Sequence, residues 1–159
     1  MNDTLQQCRH LLAVLTPLHS DCGLVCGGAC CRSHEGEETG MLLFPGEETL
    51  YLDKPGWRVA DASGDRLLIC SGTCDRTMRP LSCRMFPLLP LLREDGIHVV
   101  TDARARGTCP LRRDGLDPAF VQAVGRCGLL LAENPAQRPM LERLTAIHDE
   151  LKILQRQFR

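Results

Sequence analysis

Near the start of the chain, apolar residues recur at three- and four-residue spacing, which puts Leu5, Cys8, Leu11, Leu12 and Leu15 on one face of a helix. The pattern predicts a short amphipathic helix over residues 3–16, ended by Pro17, with Cys8 on its buried side. After a polar, loop-like stretch, RSHEGEETG, the middle of the chain offers short strands: MLLF at 41–44, WRVAD at 57–61, RLLIC at 66–70 and IHVVT at 97–101. Ser63 and Gly64 supply a hairpin turn between the second and third of these, while TLYLD at 49–53 fits a strand or a helix. The last third changes period. Asp117 and Pro118 form an N-cap and first-turn pair for a helix to about Ala132, and ENPAQRP is the break after it. A second helix carries Leu141, Leu144, Ile147, Leu151, Leu154 and Phe158 at helical spacing. That stripe reads as core packing, although an exposed copy of it would suit a protein partner. The expected class is α+β: one domain over 1–159 with an N-terminal helix, short strands and loops in the middle, and a helical part at 117–158.

Composition changes this picture in one respect. A chain of 159 residues is long enough for a real core, and 43% of it is apolar, but only six residues are aromatic. With so little large contact area and such short strands, something besides side-chain packing is expected to hold the middle together. Ten cysteines are the candidates. The beginning of the chain has Asp3 where an export signal carries positive charge, and its apolar run is short and broken by Pro17. The expectation is therefore a cytoplasmic, reducing location, where clustered thiols serve as metal ligands or redox groups rather than disulfides. No stretch is long enough to span a membrane, and a net charge of −1 predicts no electrostatic pull toward nucleic acid. Lys54 and Lys152 are the only lysines, so the basic side chains are almost all arginines, planar donors suited to thiolate sulfur.

The thiols are concentrated in CGLVCGGACC at 22–31. Cys22, Cys26 and Cys30 are four apart, as are Cys70 and Cys74, and side chains four apart on a helix or tight turn face the same way. Spacing therefore favours shared ligation. Gly23, Gly27 and Gly28 make a regular helix costly there but allow turns that aim backbone N–H groups at an anionic centre. Cys30 and Cys31 differ, because adjacent side chains tend to point apart, and service in two sites is the alternative. Four thiolates around one zinc, or around an iron–sulfur cluster, leave an anionic centre; Arg32, Arg79 and Arg84 are placed to offset that charge. Cys8 and Cys127 lack close cysteine neighbours and read as buried apolar thiols. His34 is more simply an exposed loop histidine than a ligand, and Arg104, Arg106, Arg112 and Arg113 read as a solvated or cluster-neutralising face.

The second group, CDRTMRPLSCRMFP from Cys74 to Pro87, carries a resemblance. Together with the first group it is similar to the bacterial cysteine-cluster (CxxCxxCC) family described as zinc- or iron-chelating, in which a Cys is followed by eight residues containing Arg-Pro and then Cys-Arg-x-Phe/Tyr-Pro. Cys74, Arg79, Pro80, Cys83, Arg84, Phe86 and Pro87 fit that pattern in order. The resemblance spans roughly residues 20–110. It implies that Cys22, Cys26, Cys30 and Cys31 take the places of the first group, that Cys70 precedes the second, and that Cys109, in TCP, is a later ligand. Eight metal ligands result, with Arg79 and Arg84 beside the bound group. Two departures stand out: the first group has three residues where the family has two, and Cys70 is close to Cys74. Pro80 is expected to stiffen the loop and bar a helix through it, and Pro87 to stop any helix from continuing past Arg84.

No Ser/His/Asp set, carboxylate pair, phosphate loop or dinucleotide fingerprint is present, so no catalytic residue can be named. The lack of any CxxC pair disfavours thiol–disulfide exchange. Two function classes are left: an iron or iron–sulfur protein with a redox or metal-handling role, and a zinc-stapled interaction module presenting its C-terminal helices. Soft thiolates suit both metals, and an all-sulfur donor set with arginines around it favours iron.

Overall fold

In the computed structural model, which describes residues 2–32, 40–70, 72, 75–113 and 115–158 without the side chains of Arg112 and Arg113, Asn2 caps a first helix, α1 (Asp3–Leu11). The Asn2 side chain accepts from the Leu5 N–H at 3.0 Å, and the helix buries Leu5 and Cys8. It stops well before the Pro17 boundary that leucine spacing suggests. Leu12 is nevertheless 1% exposed and Leu15 packs on the same core, because a turn buries these side chains as well as a helix would. The cysteine-rich stretch forms α2 (Cys22–Cys26) and a 3-10 turn, Ala29–Cys31.

Strand β1 (Gly40–Leu42) is followed by a 3-10 turn at Glu47–Leu50, which resolves the ambiguous 49–53 segment as turn rather than strand. The hairpin of β2 (Trp57–Ala62) and β3 (Asp65–Cys70) closes through Ser63 and Gly64, both at positive φ (58° and 91°), the geometry that suits a two-residue hairpin. Ala62 pairs with Asp65, and β3 lies between β1 and β2 in an antiparallel sheet. A 3-10 turn at Arg76–Met78 then leads into α3 (Leu81–Met85), which Pro80 precedes as N-cap. Pro80 thus separates two short helical turns instead of barring helix altogether, and Cys83 sits on the second.

The second sheet pairs β4 (Leu88–Arg93) with β5 (Gly96–Thr101). The hydrophobic pattern missed β4, because LLPLLR has neither alternation nor helical period and contains Pro90. In a two-stranded ribbon every strand is an edge, where proline is tolerated. After α4 (Ala105–Thr108) and a 3-10 turn at Pro110–Arg113 come α5 (Pro118–Glu133) and α6 (Arg138–Gln157). Asp117 caps α5 as expected, accepting from the Ala119 N–H at 2.9 Å. The class is α+β, with one N-terminal and two C-terminal helices around small antiparallel sheets.

The principal core joins α1, α3, α5, α6 and β4 through residues such as Leu5, Phe44, Met85, Phe120, Leu131 and Leu144. The interior neighbours Cys8 and Cys127 lie here, each thiol donating toward the other's backbone carbonyl, at 3.8 and 3.7 Å. None of the proposed ligands belongs to this core. The leucine stripe of α6 divides: Leu141 and Leu144 are buried, whereas Leu154 and Phe158 are exposed, the latter by 86%. No helix among the described residues is long and apolar enough to cross a membrane.

Candidate metal centre

Helix α2 forms despite Gly23 because Asp21 accepts from the Gly23 N–H at 2.9 Å and because it runs for a single turn. On that turn Cys22 and Cys26 face the same way, as their spacing predicts. Both pack, with Leu18 and Phe86, against Ala105, Cys109 and Leu111. Gly27 and Gly28 then take left-handed conformations, φ 62° and 68°, which only glycine adopts freely, and the four-residue period is broken. Cys30 therefore does not continue the row of Cys22 and Cys26. It lines a cavity of about 290 Å³ together with Cys31, Cys70 and Cys83.

Adjacent side chains ordinarily diverge, yet the Cys30 and Cys31 sulfurs are 3.8 Å apart. Two thiolates bound at about 2.3 Å to one tetrahedral metal would be separated by about 3.8 Å, so this pair has the spacing of a shared edge. The Cys31 thiol is pushed down to about 6, first by the hydrogen bond from Cys30 and further by the Arg79 guanidinium, against the opposing effect of burial. Cys30 is held above the ordinary thiol range, by that same hydrogen bond, by burial and by the neighbouring Cys31, Cys83 and Cys22. These opposite shifts describe one thiol donating to its neighbour's more acidic sulfur. Burial also pushes the Cys22 thiol up, while Arg79 works in the other direction.

Cys70 ends β3, and Gly72 just beyond it passes so close to the turn that an added Cβ would lie 3.0 Å from the Cys31 carbonyl oxygen. Cys83 comes from α3, and Cys109 follows α4. Seven of the eight proposed ligands thus lie in one region, drawn from four separate stretches of chain. Cys74 and His34 lie outside the described residues. As the side chains stand, no group of three or more His, Cys, Asp or Glu among the described residues is arranged to hold a metal ion, so ligation requires the sulfurs to move together.

The two arginines assigned to the bound group divide their work. Arg79 lines the cavity and pulls the thiol pKa of both Cys22 and Cys31 downward. Arg84 instead donates from Nε to the Arg79 carbonyl at 3.0 Å and from Nη2 to the carbonyls of Arg76 and Thr77 at 2.9 and 2.8 Å. Consecutive residues on a helix point about 100° apart, so standing next to Cys83 does not aim Arg84 at sulfur. Arg32 likewise bonds the Gly27 carbonyl. Arg104 joins the cavity wall, chelated by Asp102 at 2.6 Å and donating to the Met41 sulfur at 3.4 Å.

Sequence reasoning missed the clamp behind this wall. Carbonyls 76 to 79 are each taken by a side chain: besides Arg84, Arg9 donates to Thr77 and Arg79, both at 2.8 Å, and Tyr51 to Met78 at 2.7 Å. Arg9 also pairs with Glu47, which is fully buried and accepts from the Leu81 and Phe44 N–H groups at 2.8 and 3.2 Å. Burial pushes the Glu47 carboxyl up, and these two N–H groups and Arg9 oppose it. Nothing local in GEETL marks that role. Arg84→Lys keeps the charge but cannot reach three carbonyls, and a melting curve should show a loss of about 1–3 kcal/mol. An unchanged melting temperature would mean that Arg84 does not clamp the loop.

The donor set fits a thiophilic metal: soft sulfur from two groups, one sulfur pair at metal-edge spacing, and Arg79 beside them to offset the charge. Comparison of the chain with protein-family models, with curated proteins and with solved structures returns no match.

Proposed function

We propose that this protein holds a metal through its clustered cysteines: iron, as an ion or in an iron–sulfur cluster, or zinc, with a redox or metal-handling role in the reducing cytoplasm. The observation that carries the reading is the gathering of Cys22, Cys26, Cys30, Cys31, Cys70, Cys83 and Cys109 into one region by elements far apart in sequence. Chance burial of thiols has no need of four converging segments. Membership of the zinc- or iron-chelating cysteine-cluster family, with Cys74 as a further ligand and Arg79 beside the metal, is part of the same proposal. Arg79 would stabilise thiolate in any of these cases, and an iron–sulfur cluster would add redox chemistry that zinc does not offer.

A second reading, a zinc-stapled interaction module, has one observation in its favour. The end of α6 leaves Ile153, Leu154 and Phe158 exposed, as a partner-binding stripe would.

Anaerobic purification with metal analysis, acid-labile sulfide and a visible spectrum tests the proposal. Bound iron or zinc near one equivalent per chain or more is expected, with sulfide and visible absorption if the centre is a cluster. Folded protein free of metal would reject it.

A further inference from the structure

Among the described residues no set of three or more His, Cys, Asp or Glu stands ready for a metal, but the Cys30 and Cys31 sulfurs already lie 3.8 Å apart. Zinc closes four-coordinate sites, and here it would need further sulfurs drawn in from other segments. Copper(I), a monovalent closed-shell ion, is satisfied by two or three soft donors. Two sulfurs on opposite sides of a metal, each at about 2.3 Å, would stand about 4.6 Å apart. The observed separation therefore describes a bent centre, with a place for a third donor.

Met41, on β1, lines the same 290 Å³ cavity as the cysteine pair. Its sulfur accepts from Arg104 Nη1 at 3.4 Å, and Asp102 holds Arg104 in turn, so the thioether is fixed by a contact outside the cysteine group. A thioether beside thiolates is a soft donor set of the kind that copper(I) takes, and the thioether adds no charge. Two thiolates around a monovalent ion leave a single negative charge, and the Arg79 guanidinium in the cavity wall is there to offset it. Cys30 is exposed and gives the ion its entry. Resting on the reading of this region as a thiolate metal site, we infer that Cys30, Cys31 and Met41 form a copper(I) site on the wall of the cavity.

The test titrates the full-length protein, as purified anaerobically, with copper(I) in acetonitrile against the competing chelator bicinchoninate. Iodoacetamide mapping by peptide mass then shows which thiols the first equivalent protects. That equivalent should be withheld from the chelator and should shield Cys30 and Cys31 before any other cysteine, with an X-ray absorption edge typical of low-coordinate copper(I) bound by sulfur. Cys30→Ser and Cys31→Ser should each weaken its binding by about a hundredfold, and Met41→Leu by about tenfold, with the far-UV helical signal kept. First-equivalent binding that is unchanged in either serine variant, or that protects other cysteines first, would overturn the site, and unchanged binding in Met41→Leu would overturn it as a three-donor centre. These results leave the iron or zinc content of the purified protein as a separate measurement: iron or zinc bound with no copper(I) at Cys30 and Cys31 defeats this inference alone. Protein that binds none of the three metals defeats the thiolate metal reading and this inference with it.

Discussion

Glu47→Ala is expected to destabilise the protein by about 3–5 kcal/mol, the cost of breaking a buried ion pair by removing one partner. The substitution strips the carboxylate from Arg9, whose side chain is itself only 12% exposed, and leaves the Leu81 and Phe44 N–H groups without their acceptor. In a chain of this size that corresponds to a fall in melting temperature on the order of 10 °C. The damage should reach the thiol region, because Leu81 begins the helix that carries Cys83, and Arg9 holds the carbonyls of Thr77 and Arg79. Glu47→Gln keeps the shape and one acceptor oxygen but loses the charge facing Arg9 and the second acceptor, so it should fall between wild type and alanine. A melting temperature for Glu47→Ala within a degree or two of wild type would mean the clamp carries no net stability.

Metal removal should have the other large effect, and the fold says where. Thiolate sites can contribute on the order of 10 kcal/mol of apparent binding free energy to folding. The scarcity of aromatics suggests that the whole chain would depend on this. The structure instead locates a substantial aliphatic core, with Phe44 and Phe120, between α1, α5, α6 and β4, and none of the proposed ligands is in it. Chelation under reducing conditions should therefore loosen the thiol region while α5 and α6, the two longest helices, persist. The single tryptophan reports on this directly: Trp57 lines the thiol cavity and lies 5.2 Å from the Tyr51 ring, so its emission should change on metal loss. Most of the far-UV helical signal should remain, with a lower melting temperature. Verified metal-free protein with unchanged Trp57 emission and unchanged melting would contradict this.

Features set by near neighbours along the chain are legible in the sequence itself. The Asp117–Pro118 start of α5, the Ser63–Gly64 hairpin and the shared face of Cys22 and Cys26 each come from backbone chemistry within a few residues. Features set by distant contacts are not. Pro90 obscures β4, whose existence depends on pairing with β5 and on packing under α5 and α6. The departure of Cys30 from the row of Cys22 and Cys26 requires two consecutive left-handed glycines, a conformation that Gly-Gly permits without dictating. Arg84 stands next to a proposed ligand and still serves the loop, because adjacency in a helix does not set a common direction. Glu47, which closes the clamp, meets Arg9 across 38 residues and Leu81 across 34.

The most direct test of thiolate metal binding is metal per chain, measured after anaerobic purification, in wild type and in the Cys26→Ser and Cys83→Ser variants. Cys26 comes from the first cysteine group and Cys83 from the second, and each replacement removes a single sulfur while leaving the main core untouched. Both variants are expected to keep their helical signal and to hold less metal than wild type. Equal metal content in all three would contradict the claim that these cysteines are its ligands.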